Sequence, residues 1–337
     1  MNLKEYIESM LPAIETELQN QVARLNTERT APFYEMLAYH LGWMGEGVGK
    51  EATGKRIRPL MVLLAAASYD ANWRSALPAA AAVELAHNFS LVHDDVQDNS
   101  ERRRGRLTVW KKWGAPMAIN VGDALFVIAH QAILDLTKTH PAPTVVRAAS
   151  ILQDTCLDLT RGQFLDMSYE KRTDLTIEDY FPMVGGKTSA LIAACMRIGA
   201  LLGGASEAEQ EAYRQFGYHL GLAFQIQDDI LGVWGDESLT GKSAASDLVE
   251  GKKSLPALYG LGKQGKFAER WKQGSIAKNE VKSIAAQLEN EGGKSYAEEA
   301  ATQATEKALE YLRQANPRGA AGESMLVLAN ALLNRKQ

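Results

Sequence analysis

The chain has 337 residues, 46% hydrophobic and 23% charged, with a formal net charge of −4. That length allows one large domain or two ordinary ones, and the composition fits a soluble globular protein. A net negative chain offers no field for nucleic acid, so any bound polyanion must be gripped by a local cluster.

The N-terminus, MNLKEYIESMLPAIETELQ, lacks the basic head and apolar core of a signal peptide. Apolar residues then recur at helical spacing over about 59–70, 76–98, 116–138, 144–170, 177–203 and 207–232. Weaker helical segments follow near 254–262, 277–291, 297–314 and 317–334. Pro59, Pro78 and Pro116 each suit a first helical turn, where a missing N–H costs nothing. No alternating strand pattern stands out. The apolar run from Ala190 to Gly204 is broken by Arg197 and is too short to span a membrane. Cys156 and Cys195 lie in apolar helical stretches and form no metal or disulfide spacing, so both are expected to be small core residues. These features predict a cytoplasmic, single-domain, all-α protein over residues 1–337: one large helical bundle around a central cavity. Its motif-bearing core lies at about 50–260, with a helical cover at about 265–337.

The chemistry concentrates at helix ends. Asp94, Asp95 and Asp98 close the segment AAVELAHNFSLVHDDVQD. Residues four apart share a helical face, so Asp94 and Asp98 point the same way. Three carboxylates at the negative end of a helix dipole call for a compensating cation, and magnesium fits such a site. Asp228-Asp229 ends a second apolar helix, YHLGLAFQIQDDILG. The two tips are expected to face each other over an apolar shaft. Lys55 and Arg58 precede an apolar helix, Arg103 and Arg104 follow the first motif, Lys187-Thr188 follows two glycines, and Lys242 and Lys252 follow the second motif. Arginine forks and lysine point charges are what a diphosphate needs. His87 lies two turns before Asp94 on the same face, whereas His93 is rotated away and reads as structural. The GKT and GKS tripeptides at Gly186 and Gly241 lack the glycine spacing and the strand of a P-loop.

Taken in order, GKRIRP at 54–59, ELAHNFSLVHDDVQDNSERRRG at 84–105, GQFLD at 162–166, GGKT at 185–188 and FQIQDDILGVWGDESLTGKSAASDLVEGKKSLP at 224–256 resemble the trans-type polyprenyl diphosphate synthases. The resemblance spans about 50–260 and implies an all-helical, usually homodimeric enzyme that joins isopentenyl diphosphate to an allylic diphosphate. It implies three magnesium ions held by Asp94, Asp98 and Asp228, with Asp95 and Asp229 in support. It assigns Lys55, Arg58, His87 and Arg104 to isopentenyl diphosphate. Arg103, Lys187, Thr188, Gln225, Lys242 and Lys252 go to the allylic diphosphate, with Gln163 and Asp166 behind them. The second motif of the family often reads DDxxD, but the fifth residue here is Gly232, which puts a third ligand there in doubt.

Product length depends on the shaft. Ser90 lies one turn above Asp94, about 6 Å deeper by helix rise. Phe89 is offset in angle from that face, and its place as the floor is implied by the family, where this pattern resembles C20 producers. Geranylgeranyl diphosphate is therefore the expected product, with C15 and C25 or longer as alternatives. A terpene cyclase would leave the set Lys55, Arg58, His87 and Arg104 without a purpose. A non-catalytic subunit would usually have lost aspartates that stand here.

Overall fold

The computed structural model describes residues 1–70, 72–235 and 245–333. They are helical almost throughout, as expected. The helices are α1 (Leu3–Val22), α2 (Ala31–His40), α3 (Lys50–Thr53), α4 (Ile57–Ala67) and α5 (Leu77–Gln97). A two-stranded ribbon, β1 (Arg102–Arg103) and β2 (Arg106–Leu107), follows. Then come α6 (Val109–Trp113), α7 (Ala115–Leu134), α8 (Ala142–Tyr169), α9 (Ile177–Val184), α10 (Ala190–Leu202) and α11 (Glu207–Trp234). The chain continues through α12 (Ser246–Val249), α13 (Leu255–Gly262), α14 (Lys266–Trp271), α15 (Val281–Asn290), α16 (Gly293–Gln314) and α17 (Gly319–Leu333).

The chain divides into two compact units. The first comprises Met1–Asp154, Ala194–Gln210 and Asn316–Met325. The second comprises Thr155–Ala193, Glu211–Ala315 and Leu326–Gln337.

In the first unit, α5 packs along α7, with α1 and α4 on its other sides. Small residues make this possible. Ala79 to Ala82 on α5 are all buried. A Cβ at Gly122 of α7 would lie 2.1 Å from Nε2 of His93. α1 opens on a capping box between Asn2 and Glu5. It buries Tyr6, Met10, Ile14, Leu18 and Val22, a stripe of five at four-residue spacing down one face. With its 3-10 extension, α7 spans Ala115–Lys138 and is long and apolar enough to cross a membrane by length and composition. Packing against α5 covers one face of it, while Ile119, Val127 and Leu134 stay exposed on another. It also exceeds the Ala190 to Gly204 stretch that stands out in the sequence.

In the second unit, α11, α12, α13, α14 and α15 enclose Val233, Leu248, Ala257, Phe267, Val281 and Leu288. Between α9 and α10 the backbone forms a π-helical turn over Gly185–Ser189. Such bulges are rare and recur at functional sites.

Candidate active site

In the first unit the acidic motif forms the last turn of α5, and that turn carries no basic residue. Asp94 is part-exposed, Asp98 exposed and Asp95 buried. The buried member is held by Arg103, whose Nε donates to Asp95 Oδ1 at 2.9 Å and Oδ2 at 3.1 Å. Burial raises the Asp95 pKa, with Arg103 pulling against it. The helix stops at Asn99 (φ 52°), and the chain turns into the ribbon. Arg104 (φ 51°) and Gly105 (φ 76°) form its two-residue turn, both left-handed as a tight hairpin requires.

That turn aims Arg104 at the loop before α4. Its Nη1 donates to the Ala52 carbonyl at 2.9 Å. Its guanidinium lies over Gly54, where a Cβ would come within 2.7 Å. Gly54 also has φ +78°, so a side chain there is excluded twice. Arg58 meets His87, Nη1 to Nε2, at 3.3 Å. Arginine can only donate, so this Nε2 accepts and the imidazole proton sits on Nδ1. Burial, then Arg58, Arg104 and Arg103, hold His87 well below its ordinary pKa, so it is neutral. Arg58, His87 and Arg104 thus come together, and Lys55 stands exposed just before α4. Phe89 is buried edge-on against Phe126 of α7, with ring centroids 5.0 Å apart. Ser90 is part-buried and its Oγ donates to the His87 carbonyl at 2.8 Å. His93 meets the Ile119 carbonyl at 3.2 Å and packs on Gly122, the structural role expected of it.

Two residues in this unit gain weight that their sequence context hid. Arg56 is 4% exposed and left-handed (φ 48°). It pairs with Glu84 at 2.8 Å and Glu15 at 2.6 Å, fixing the entry to α4, with Lys55 just before the helix and Arg58 in its first turn. His40 reads as bland in sequence, yet Arg103, Arg104 and Arg56 surround it. Burial first, then those charges, hold its pKa at about 3. The unfolded chain binds this proton near 6.5 and the folded chain does not. Stability should therefore be full above pH 6.5 and fall as pH drops toward 3. Relative to His40→Gln, the wild type should lose about 1.4 kcal/mol of unfolding free energy per pH unit between pH 6 and 4. Urea titrations at several pH values would show this, and a constant difference between the two proteins would refute it.

In the second unit, Asp228 is exposed near the end of α11 and Asp229 is buried. Asp229 accepts from Tyr180 Oη at 2.8 Å, Leu255 N at 3.0 Å and Gln225 Nε2 at 3.1 Å. Burial raises its carboxyl to about 6 against those three donors. Thr188 Oγ1 donates to Gln225 Oε1 at 3.0 Å, extending the chain from the π-turn to the aspartate. Lys187, also in that turn, forms an ion pair with Asp166 of α8. The approach of α8 needs glycine on both sides. A Cβ at Gly162 would lie 2.1 Å from Lys187 N, and one at Gly186 2.7 Å from the Asp158 carbonyl oxygen. Gln163 lies on α8 in the same stretch. Lys252 pairs with Asp247 at 3.2 Å and Glu250 at 2.8 Å. Burial works to lower its pKa, but these two carboxylates carry it above the ordinary value. Lys242 lies outside the described residues. Tyr180 and the Leu255 amide are the partners that the motifs do not announce.

Both aspartate pairs thus share one plan: the second carboxylate is locked into the protein and the first reaches the surface. Among the described residues, no group of three or more His, Cys, Asp or Glu converges into a ready-made metal cluster. Each unit thus carries a carboxylate pair at a helix end together with cationic side chains, Arg58, Arg103 and Arg104 in the first and Lys187 and Lys252 in the second, groups of the kind that suit diphosphates in a helical enzyme.

The comparisons refine that class. The polyprenyl synthetase family model matches residues 48–288. A (2E,6E)-farnesyl diphosphate synthase from Mycobacterium bovis is 40% identical over 293 residues, covering 83% of this chain and 80% of that protein. A geranylgeranyl diphosphate synthase from Mycobacterium tuberculosis is 43% identical over 239 residues, 70% of this chain and 67% of that one. A polyprenyl synthetase crystal structure from Streptomyces coelicolor superposes with a TM-score of 0.88 at 36% identity, covering 98% of this chain and 99% of that one. The chain belongs to the polyprenyl synthetase family and is a prenyltransferase.

Proposed function

We propose that this protein condenses isopentenyl diphosphate head-to-tail with an allylic diphosphate to make geranylgeranyl diphosphate, using magnesium. The shared plan of the two aspartate pairs carries the proposal: Arg103 fixes Asp95, Tyr180 and Gln225 fix Asp229, and Asp94, Asp98 and Asp228 are thereby presented as hard oxygen donors. Such donors fit magnesium, which takes one or two carboxylates and completes its shell with water and phosphate. Asp94, Asp98 and Asp228 would hold three such ions. When bound, magnesium supplies electrostatic stabilisation of charge on a departing diphosphate.

The protein's own groups do the rest. Lys55, Arg58, His87 Nδ1–H and Arg104 would hold the isopentenyl diphosphate. Arg103, Lys187, Thr188, Gln225, Lys242 and Lys252 would hold the allylic one and take up charge as its C–O bond breaks. The isopentenyl double bond forms the new C–C bond to the allylic carbon. A proton then leaves the adjacent carbon for the released diphosphate. Apolar walls exclude the water that would quench the cation.

The C20 assignment rests on Phe89 as the floor of the shaft and on the small Ser90 above it. The 40% identity to a farnesyl synthase favours C15 as the second reading. Incubation with isopentenyl diphosphate, each allylic primer and magnesium, followed by product sizing, tests both. Phe89→Ala should lengthen the products, and an unchanged distribution would remove Phe89 as the floor. Absence of any prenyl product would end the proposal. A homodimer is also proposed, supported by the exposed Ile119, Val127 and Leu134 on α7. A monomeric mass in light scattering would refute it.

A further inference from the structure

Gly232 stands one helical turn after Asp228 on α11, where a side chain would share that aspartate's face. A Cβ at this position would lie 2.1 Å from Asp247 Oδ2 and 2.5 Å from its Cγ. The space is filled by a carboxylate arriving from α12. Asp247 is only 6% exposed. Its Oδ1 takes the ammonium of Lys252 at 3.2 Å, and its backbone carbonyl accepts the Lys252 N–H at 2.9 Å. Its charge also reaches Tyr180 and Asp229.

Lys252 has a flexible stem and is half exposed, so nothing in its own chemistry fixes where its charge sits. Asp247 does so from a buried base. Glu250 touches the same ammonium, but it is 54% exposed, and an exposed pair contributes little. We infer that Asp247 is the positioning residue for Lys252, and that glycine at 232 is the condition that lets it reach. The carboxylate of Asp247 occupies the place of the side chain that the second motif lacks. This rests on the assignment of Lys252 to the allylic diphosphate.

The test separates the two diphosphates. Asp247→Asn should raise KM for the allylic substrate about tenfold, and weaken calorimetric binding of inorganic pyrophosphate with magnesium by a similar factor, while KM for isopentenyl diphosphate stays put. Gly232→Ala should reproduce this shift by pushing the carboxylate away. Gly232→Ala placed on an Asp247→Gly background should add nothing further, because the clash has gone. Glu250→Gln should change neither constant more than about twofold. Equal rises in both KM values, a fall in melting temperature alone, or additive effects of the 232 and 247 changes would overturn the inference. A wild type that makes no prenyl product sinks the functional reading instead. An active wild type with Asp247→Asn unchanged in both readouts sinks this inference alone.

Discussion

Asp94→Ala is expected to lower kcat by roughly three orders of magnitude while leaving the fold intact. Asp94 is part-exposed, so circular dichroism and melting temperature should stay close to the wild type. The loss should fall on kcat more than on KM for isopentenyl diphosphate, because Arg58, His87 and Arg104 are untouched. Excess magnesium should recover little, since one of the two carboxylates sharing a helical face is gone. A variant that turns over at the wild-type rate would remove Asp94 from the reaction.

Arg56→Met is expected to cost about 3–5 kcal/mol of stability, because it strands a charge inside the protein. Glu84 is 3% exposed, and its Oε1 keeps only the amide of Asn88 at 3.1 Å among the described contacts. The Leu41 carbonyl loses a donor as well, at 3.1 Å. Adding Glu84→Gln should return part of the loss, since the stranded charge is then absent. Chemical denaturation of the single and double variants measures this. A single variant within about 1 kcal/mol of the wild type would show that the buried pair contributes little.

Much of this was legible in the chain. The long helices announced themselves because each buries a wide apolar face, and α5, α8 and α11 run nearly where the periodicity puts them. The aspartate pairs were legible because helix geometry fixes which of them share a face. Arg56 was not: it sits between two cations in GKRIRP, and its left-handed backbone breaks the angular logic that would have turned it inward. Tyr180 was hidden for another reason. Its bond to Asp229 bridges 49 positions, and no local pattern marks it. α1 was legible in principle, through its apolar stripe at four-residue spacing from Tyr6 to Val22, but its charged surface and Pro12 mask that rhythm.

The Asp95–Arg103 bridge has a mechanical meaning. It clamps the ribbon to the helix whose last turn carries Asp94, with only the short segment Asp98–Glu101 left outside the secondary structure. Anionic tip and cationic turn are therefore one casting, and neither can drift without dragging the other. Lengthening that segment by a single residue would put the two out of register, so its length acts as a ruler between opposite charges.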